Sequence, residues 1–279
     1  MRPSRHLAGV IGWPLEYTLS PVILTAAFRH YGLDWAYFDW PVAPGDLSAA
    51  IAGIRVLQVR GANVTMPHKT AVLEFLDAAS GDARTVGAVN TIHRSGDRLV
   101  GHNTDIDGFA DFITDDTGIP MAGKEALVLG AGGGARAVVV ALDRLGLEAI
   151  TIAARSPERA EEVASLATHA REKTIPWTRA EAAAEESGLI VNATPIGARR
   201  EDSLPGARFR PGQTVVDLIY NPPATALVGR ARAAGADAWG GLGMLVHQAG
   251  GSFRIWTGQD PPLDVMSAAA LRALRTSSG

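Results

Sequence analysis

The sequence contains no cysteine, which excludes disulfides, thiolate nucleophiles and cysteine-held metals and suits a reducing compartment. Neither sign of charge is in excess: 26 Lys and Arg stand against 29 Asp and Glu, a formal net charge of −3. With the signs interspersed there is no basic field to grip a phosphate backbone or an anionic bilayer, so neither nucleic acid nor membrane is an expected partner. The longest apolar region, Ala126 to Leu142, is interrupted by four glycines and Arg136 and cannot span a bilayer. Near the N-terminus "LAGVIGWPLEY" is short and broken by Pro14 and Glu16, unlike a signal peptide. A soluble cytoplasmic protein is expected. The histidines are scattered without ligand spacing, so no metal site is expected. No serine sits in a nucleophile elbow, and Asp105 and Asp107 lie too close in sequence to face each other on a helix.

What is present is an ordinary globular composition, 47% hydrophobic and 20% charged over 279 residues. One hydrophobic core stops growing near ~250–300 residues, so two domains are expected. Strand and helix patterns alternate from the start: "LAGVIG", a helix over 21–31, "AYFDWPV", a helix over 46–57, then "RGANVT". A helix is predicted from about His68 to Ala79, and "GAVNTIHR" and "RLVGHN" flank a Ser95-Gly96-Asp97 hairpin turn. These elements predict an α/β first domain with a mixed sheet over residues 1–104. A linking helix is predicted over 105–116. A second alternation from Glu125 predicts a doubly wound domain over 105–241, with strands at "AITIAA", "LIVNAT", "TVVDLIY" and near Ala238. Two helices, 242–256 and 263–275, are expected to return to the first domain.

The second alternation opens with "LVLGAGGGARAV", a strand running into a Gly-x-Gly-x-x-Ala turn that reopens as a helix. In a dinucleotide-binding loop Gly130 permits the tight turn, Gly132 lets backbone approach a pyrophosphate, Gly134 adds room, and Ala135 lets helix and strand pack closely. The helix N-terminus then offers unpaired N–H groups and a partial positive charge. An NAD site carries a carboxylate at the end of the next strand, but here that strand ends Ala153-Ala154-Arg155-Ser156, with Arg159 one turn on. The expected nucleotide is therefore NADP, with Arg155 as the planar fork for its 2′-phosphate and Ser156 donating a hydroxyl or capping the helix.

Polar interruptions in the first half supply candidates for chemistry: "TLSP" at 18–21, "NVTMPHK" at 63–69, "AVNT" at 88–91 and "NTD" at 103–105. With "GWPLEYTLSP", "GHNTDIDGF", "IVNATPIG", "VVDLIYNPPATAL" and "GLGMLVHQA" they form an ordered series that resembles the shikimate dehydrogenase family over nearly the whole chain. The resemblance implies an N-terminal substrate domain, a central NADP domain, and reversible reduction of 3-dehydroshikimate to shikimate. It implies Lys69 and Asp105 as the catalytic pair; an ammonium can protonate the carbonyl oxygen while a carboxylate orients it. Thr18 and Ser20 match the hydroxyls that bind the substrate carboxylate, and Ser20 before Pro21 also reads as a helix N-cap. Asp105 likewise reads as a cap of the helix that follows it. Asn63, Thr65, Asn90, Tyr220 and Gln248 match the shell around the ring hydroxyls. Cofactor contacts are implied along Gly130, Ala131, Gly132, Gly133, Gly134 and Ala135, at Arg155, Ser156 and Arg159, at Ala193, Thr194 and Pro195, and at Gly241.

Tyr17-Thr18 stands where the family usually has His-Ser, placing an extra methyl at the carboxylate site. That departure leaves quinate or an amino analogue of shikimate as alternative substrates. Ala154 replaces a common asparagine, and His68 replaces a phenylalanine and reads as a packing residue. A non-catalytic NADP-binding sensor is the alternative of another class, and the expected assembly is a monomer or homodimer.

Overall fold

The computed structural model describes residues 6–15, 17–121 and 123–277. The chain forms two compact units: Phe109–Leu245 make one, and the segments on either side of it together make the other.

The outer segments contain β1 (His6–Gly12), α1 (Ser20–His30), β2 (Trp35–Pro41), α2 (Leu47–Val56), β3 (Gly61–Val64), β4 (Ala78–Ala79), α3 (Gly81–Val86), β5 (Thr91–Ser95), β6 (Arg98–His102) and the first turn of α4 (Asp105–Asp111). Their sheet is mixed, in the order β2-β1-β3-β5-β6-β4. β1 pairs in parallel with β2 and β3, because each pair is joined through a helical crossover. A two-residue turn with Gly96 at φ 62° makes β5 and β6 antiparallel. α2 lays Leu47, Ile51 and Ile54 onto the sheet against Ile11, Val64 and Ile92. Their spacing is that of one helix face, and burying each such side chain contributes about 1.5–3 kcal/mol.

Between 68 and 79 no α-helix forms, contrary to the sequence pattern. A 3-10 turn covers only Ala71–Phe75, followed by β4. The cause is competition for main-chain groups: the Lys69 carbonyl accepts the Val89 amide at 2.7 Å, and the Asp77 amide goes to Leu99 at 3.0 Å. The linking helix is shorter than expected too, with α4 widening into a π-type turn over Phe112–Thr117 that Gly118 ends at φ 62°.

The central segment contains β7 (Glu125–Leu129), α5 (Gly133–Arg144), β8 (Ala149–Ala154), α6 (Pro157–Ala164), β9 (Arg171–Pro176), α7 (Ala180–Glu186), β10 (Leu189–Asn192), β11 (Thr214–Asp217), α8 (Ala226–Ala233) and β12 (Asp237–Gly240). All pairings are parallel, in the order β12-β11-β10-β7-β8-β9. Renumbered from β7, this is the doubly wound order 3-2-1-4-5-6, whose strand order reverses between β7 and β10. β10 and β11 are buried at every position, as strands covered on both faces must be. β9 and α7 were not anticipated from the sequence. β9 is an edge strand reading "REKTIP" and α7 is the alanine-rich "AEAAAEE", so neither carries a clear apolar period.

α9 (Leu242–Thr257) and α10 (Leu263–Ser277) close the chain; from Val246 onward they belong with the mixed sheet, α10 packing on α1. Trp256 of α9 donates its indole N–H to the Ile92 carbonyl at 2.9 Å. Its ring occupies the space a side chain at Gly61 would need, 2.3 Å from a Cβ there.

Candidate active site

The catalytic candidates of the first unit, Lys69 and Asp105, come from the turn after β3 and from the start of α4. Lys69 follows β3 through the Thr65–His68 turn, whose geometry is fixed by the His68 amide bonding the Thr65 carbonyl at 3.0 Å. His68 is buried and pairs its Nε2 with the Val42 carbonyl at 2.7 Å, a packing and anchoring role. The Lys69 ammonium donates to Asp105 Oδ2 at 2.6 Å, with side-chain exposures of 20% and 6%. One partner is thus reachable and the other enclosed. Asn90 donates to Asp105 Oδ1 at 2.8 Å, so both carboxylate oxygens are held. Asp105 does not cap α4: the Asn103 side chain accepts the Asp105 and Ile106 amides at 3.1 and 3.3 Å, which leaves the aspartate carboxylate to Lys69 and Asn90.

Around this pair the amides interlock. Asn90 also reaches Thr104 Oγ1 at 2.9 Å and Gln248 Oε1 at 3.3 Å. Asn63 donates to Ser252 at 2.9 Å and to Thr91 at 3.2 Å. The buried Tyr37 hydroxyl donates to Asn63 Oδ1 at 2.8 Å. Burial pushes the Tyr37 phenol well above its ordinary pKa, against a hydrogen bond from Ser20, so it stays a neutral donor. Ser20 is thereby joined to the network; it is the first residue of α1 and does not cap it, the cap position being Leu19. Thr18 is half-buried, its hydroxyl accepting the Ser20 amide at 3.3 Å. Thr65, also half-buried, ends β3 with its amide on Ile11 at 2.8 Å. Tyr37 and Ser252 were missed from sequence, and Thr91 and Thr104 had no role there. A serine in the apolar α9 run "AGGSFRIW" was the available signal for Ser252.

In the second unit the sequence-predicted nucleotide residues lie at the carboxyl ends of the strands, on both sides of the reversal point. Gly130 has φ 101°, and a Cβ there would strike Thr194 at 2.8 Å. Gly132 precedes α5 with nothing within 4 Å of its missing Cβ, leaving backbone open to a ligand. No side chain caps α5, so the N–H groups at Gly133, Gly134 and Ala135 remain for an anion. Ala193 follows β10 beside β7, its amide on Leu129 at 3.0 Å, and leads into Thr194 and the exposed Pro195. At Gly241 a Cβ would lie 2.1 Å from the Leu218 carbonyl, so only glycine permits that crossing. Ala131 sits in the turn itself. Arg155, just after β8, and Arg159, in the first turn of α6, are exposed, and neither forms an ion pair among the described residues. Ser156 caps α6, accepting the Arg159 amide at 3.3 Å while donating to Glu158 at 2.8 Å. Tyr220 is half-buried in the loop after β11. At that strand's end Asp217 accepts from Asn192, Ile219 and Thr225. Burial pushes its pKa up to about 6, the Asp202 charge adding to the shift and the three donors opposing it.

The chain matches family patterns described as "Shikimate dehydrogenase substrate binding domain" over residues 10–92, "Shikimate / quinate 5-dehydrogenase" over 114–199 and "Shikimate 5'-dehydrogenase C-terminal domain" over 241–271. It is 42% identical to a shikimate dehydrogenase (NADP(+)) of Geobacter metallireducens over 280 residues, 97% of each chain. The chain belongs to the shikimate dehydrogenase family. Among solved members, the Thermus thermophilus shikimate 5-dehydrogenase in complex with NADP(H) and shikimate is 37% identical with a TM-score of 0.86, covering 96% of this chain and 100% of that one. A quinate dehydrogenase from Corynebacterium glutamicum in complex with NAD is 30% identical with a TM-score of 0.84, over 96% and 99%. The two-domain shikimate dehydrogenase fold, one mixed sheet and one parallel Rossmann-type sheet, is therefore the fold of this chain. No helix among the described residues is long and apolar enough to cross a membrane.

Proposed function

We propose that the protein is an NADP-dependent oxidoreductase that interconverts 3-dehydroshikimate and shikimate in the cytoplasm. The unit built on the mixed sheet takes the substrate and the unit built on the parallel sheet takes the nucleotide. The observation that carries this reading is the 2.6 Å pair of Lys69 and Asp105 within a shell of amides and hydroxyls. Lys69 Nζ holds the proton destined for the carbonyl oxygen in reduction and takes it back from the hydroxyl in oxidation. Asp105, fixed by Asn90, keeps that side chain aimed. Thr18 and Ser20 hold the ring carboxylate, and Asn63, Thr65, Asn90, Tyr220 and Gln248 pair the ring hydroxyls. Such a shell excludes acids lacking those hydroxyls, because each buried polar group left unpaired costs about 1–3 kcal/mol.

The residues of the second unit fit NADP. The open backbone at Gly132 and the uncapped α5 accept a pyrophosphate, with Gly130 to Ala135, Ala193 to Pro195 and Gly241 forming the walls. Arg155, Arg159 and Ser156 take the 2′-phosphate, for which an NAD-type carboxylate at position 154 or 155 would be repulsive. When bound, the reduced nucleotide supplies the hydride.

Absorbance at the NADPH band, with shikimate, quinate and aminoshikimate as substrates, tests this on the wild type and on Lys69→Ala. Shikimate with NADP is expected to be the best pair, with a large loss in the variant; equal rates in both proteins would dismiss the role of Lys69. The Thr18 methyl favours a second reading, preference for quinate or aminoshikimate, which a higher kcat/KM on either acid would establish. Tight NADP binding without turnover on any of the three would mark a sensor instead. Light scattering distinguishes monomer from homodimer.

A further inference from the structure

The turn after β10 and the loop after β11 are folded around one buried carboxylate. Asp217, the last residue of β11, has no exposed surface. Its Oδ1 accepts from Asn192 Nδ2 at 3.0 Å and from the Ile219 amide at 3.1 Å, and its Oδ2 accepts the Thr225 hydroxyl at 2.6 Å. Asn192 passes the constraint along. Its Oδ1 takes the Thr194 amide at 3.1 Å and the Thr194 hydroxyl at 2.7 Å, while its Nδ2 also reaches the Ile196 carbonyl at 3.0 Å. The main chain of 192–196, with Ala193 to Pro195, and that of 218–225, with Tyr220, therefore share a single brace.

A carboxylate is a costly material for a strand end, since an ionised group out of water loses far more solvation than an amide or hydroxyl does. Its neighbour Asp202 adds repulsion, and Arg230 of α8 pairs with Asp202 at 2.5 Å. What the carboxylate provides is three acceptor contacts at fixed angles, a set that a protonated carboxyl or an amide cannot reproduce without turning a donor toward one of the three N–H or O–H groups.

We propose that Asp217 is a positioning residue whose ionised carboxylate holds the 192–196 turn and the 218–225 loop in the arrangement that grips the dinucleotide and presents Tyr220. The proposal rests on the reading of this unit as the NADP-binding half, and it acts through other residues rather than by touching substrate.

The test compares Asp217→Asn with the wild type by direct titration of NADP+ and by KM and kcat, from about pH 5 to pH 8. Near pH 8 the variant is expected to bind NADP+ about tenfold more weakly, the loss of one charge-assisted buried bond. Toward pH 5 the ratio of the two dissociation constants is expected to fall toward one, as the wild-type carboxyl takes up its own proton. Taking the ratio cancels titration of the nucleotide's 2′-phosphate. A ratio of one at every pH, or a constant ratio accompanied only by lower thermal stability, overturns the proposal. Thr225→Val, which removes the 2.6 Å bond, and Thr225→Ser, which keeps it, provide a second pair; wild-type affinity in the valine variant also overturns it. If the wild type binds NADP+ but turns over none of the three acids, the oxidoreductase reading fails while the binding ratio still decides the role of Asp217.

Discussion

On the proposed reading, the two units are prepared for a ligand with opposite materials. In the first, side chains from the β3 turn, the β5 approach, α4 and α9 hold one another: Lys69 on Asp105, Asp105 on Asn90, Asn90 on Gln248. In the second, the main chain does most of the holding, through an uncapped helix start and glycines where a Cβ would intrude or where space is left open. A site made of interlocked side chains can discriminate a ring's hydroxyl pattern, but one truncation leaves several groups unpaired. A site made of backbone recognises a phosphate that many substrates share, and it is sensitive mainly to added atoms.

The largest expected effect comes from the side-chain site. Lys69→Ala is expected to lower kcat by about 10³-fold, within the range of general acid catalysis, with NADP+ affinity retained. A loss confined to KM would erase the contrast drawn between the units. Second, Asp217 has a folded pKa of about 6 against an ordinary 3.8, so the stability it contributes is complete below pH 3.8 and is lost as pH rises through 6. Between about pH 4 and pH 7, denaturant unfolding of Asp217→Asn is expected to gain about 3 kcal/mol relative to the wild type; parallel curves would contradict this sign. Third, Arg155→Ala is expected to cut kcat/KM with NADP about tenfold and to leave NAD almost unchanged, as loss of a charge-assisted pair to the 2′-phosphate requires. Fourth, Gly132→Ala adds a methyl where nothing lies within 4 Å. Its melting temperature is expected to stay near wild type while NADP+ binds about fivefold more weakly, because only the ligand meets the new group. The smallest effect belongs to Glu158, whose carboxylate takes the Ser156 hydroxyl at 2.8 Å. Removing that acceptor in Glu158→Ala is expected to lower KM for NADP about twofold, and an unchanged or raised KM would show that the contact does not compete with phosphate binding.

The same contrast governs how much could be read from the sequence. The glycine turn was legible because a tight strand-to-helix turn needs particular residues at fixed short spacing, and Gly130 at φ 101° just before α5 makes that turn. The pairing of Lys69 with Asp105 spans 36 positions, and no local period encodes it; it was legible only through the ordered motifs of a family. Tyr37 and Ser252 stayed hidden because one polar group inside an apolar strand or helix reads as noise until its partner is known. The predicted helix after His68 failed for a related reason. "AVLEFL" has a helical look, but Val89 and Leu99, distant in sequence, claim the main-chain groups a helix would use. β9 was missed because an exposed edge strand can be charged throughout, its identity coming from the Ala149–Ala154 backbone beside it.

The mixed sheet is assembled from both arms of the chain, with Phe109–Leu245 set between them. During synthesis the arm carrying Lys69 leaves the ribosome long before Ser252 and Trp256 exist to pair with Asn63 and Ile92. The intervening half, whose described strands pair only with one another, can mature first. Released chains truncated after Leu245 are therefore expected to resist protease across β7–β12 while remaining cleavable around β3, so the enzyme acquires its nucleotide fold before its chemistry.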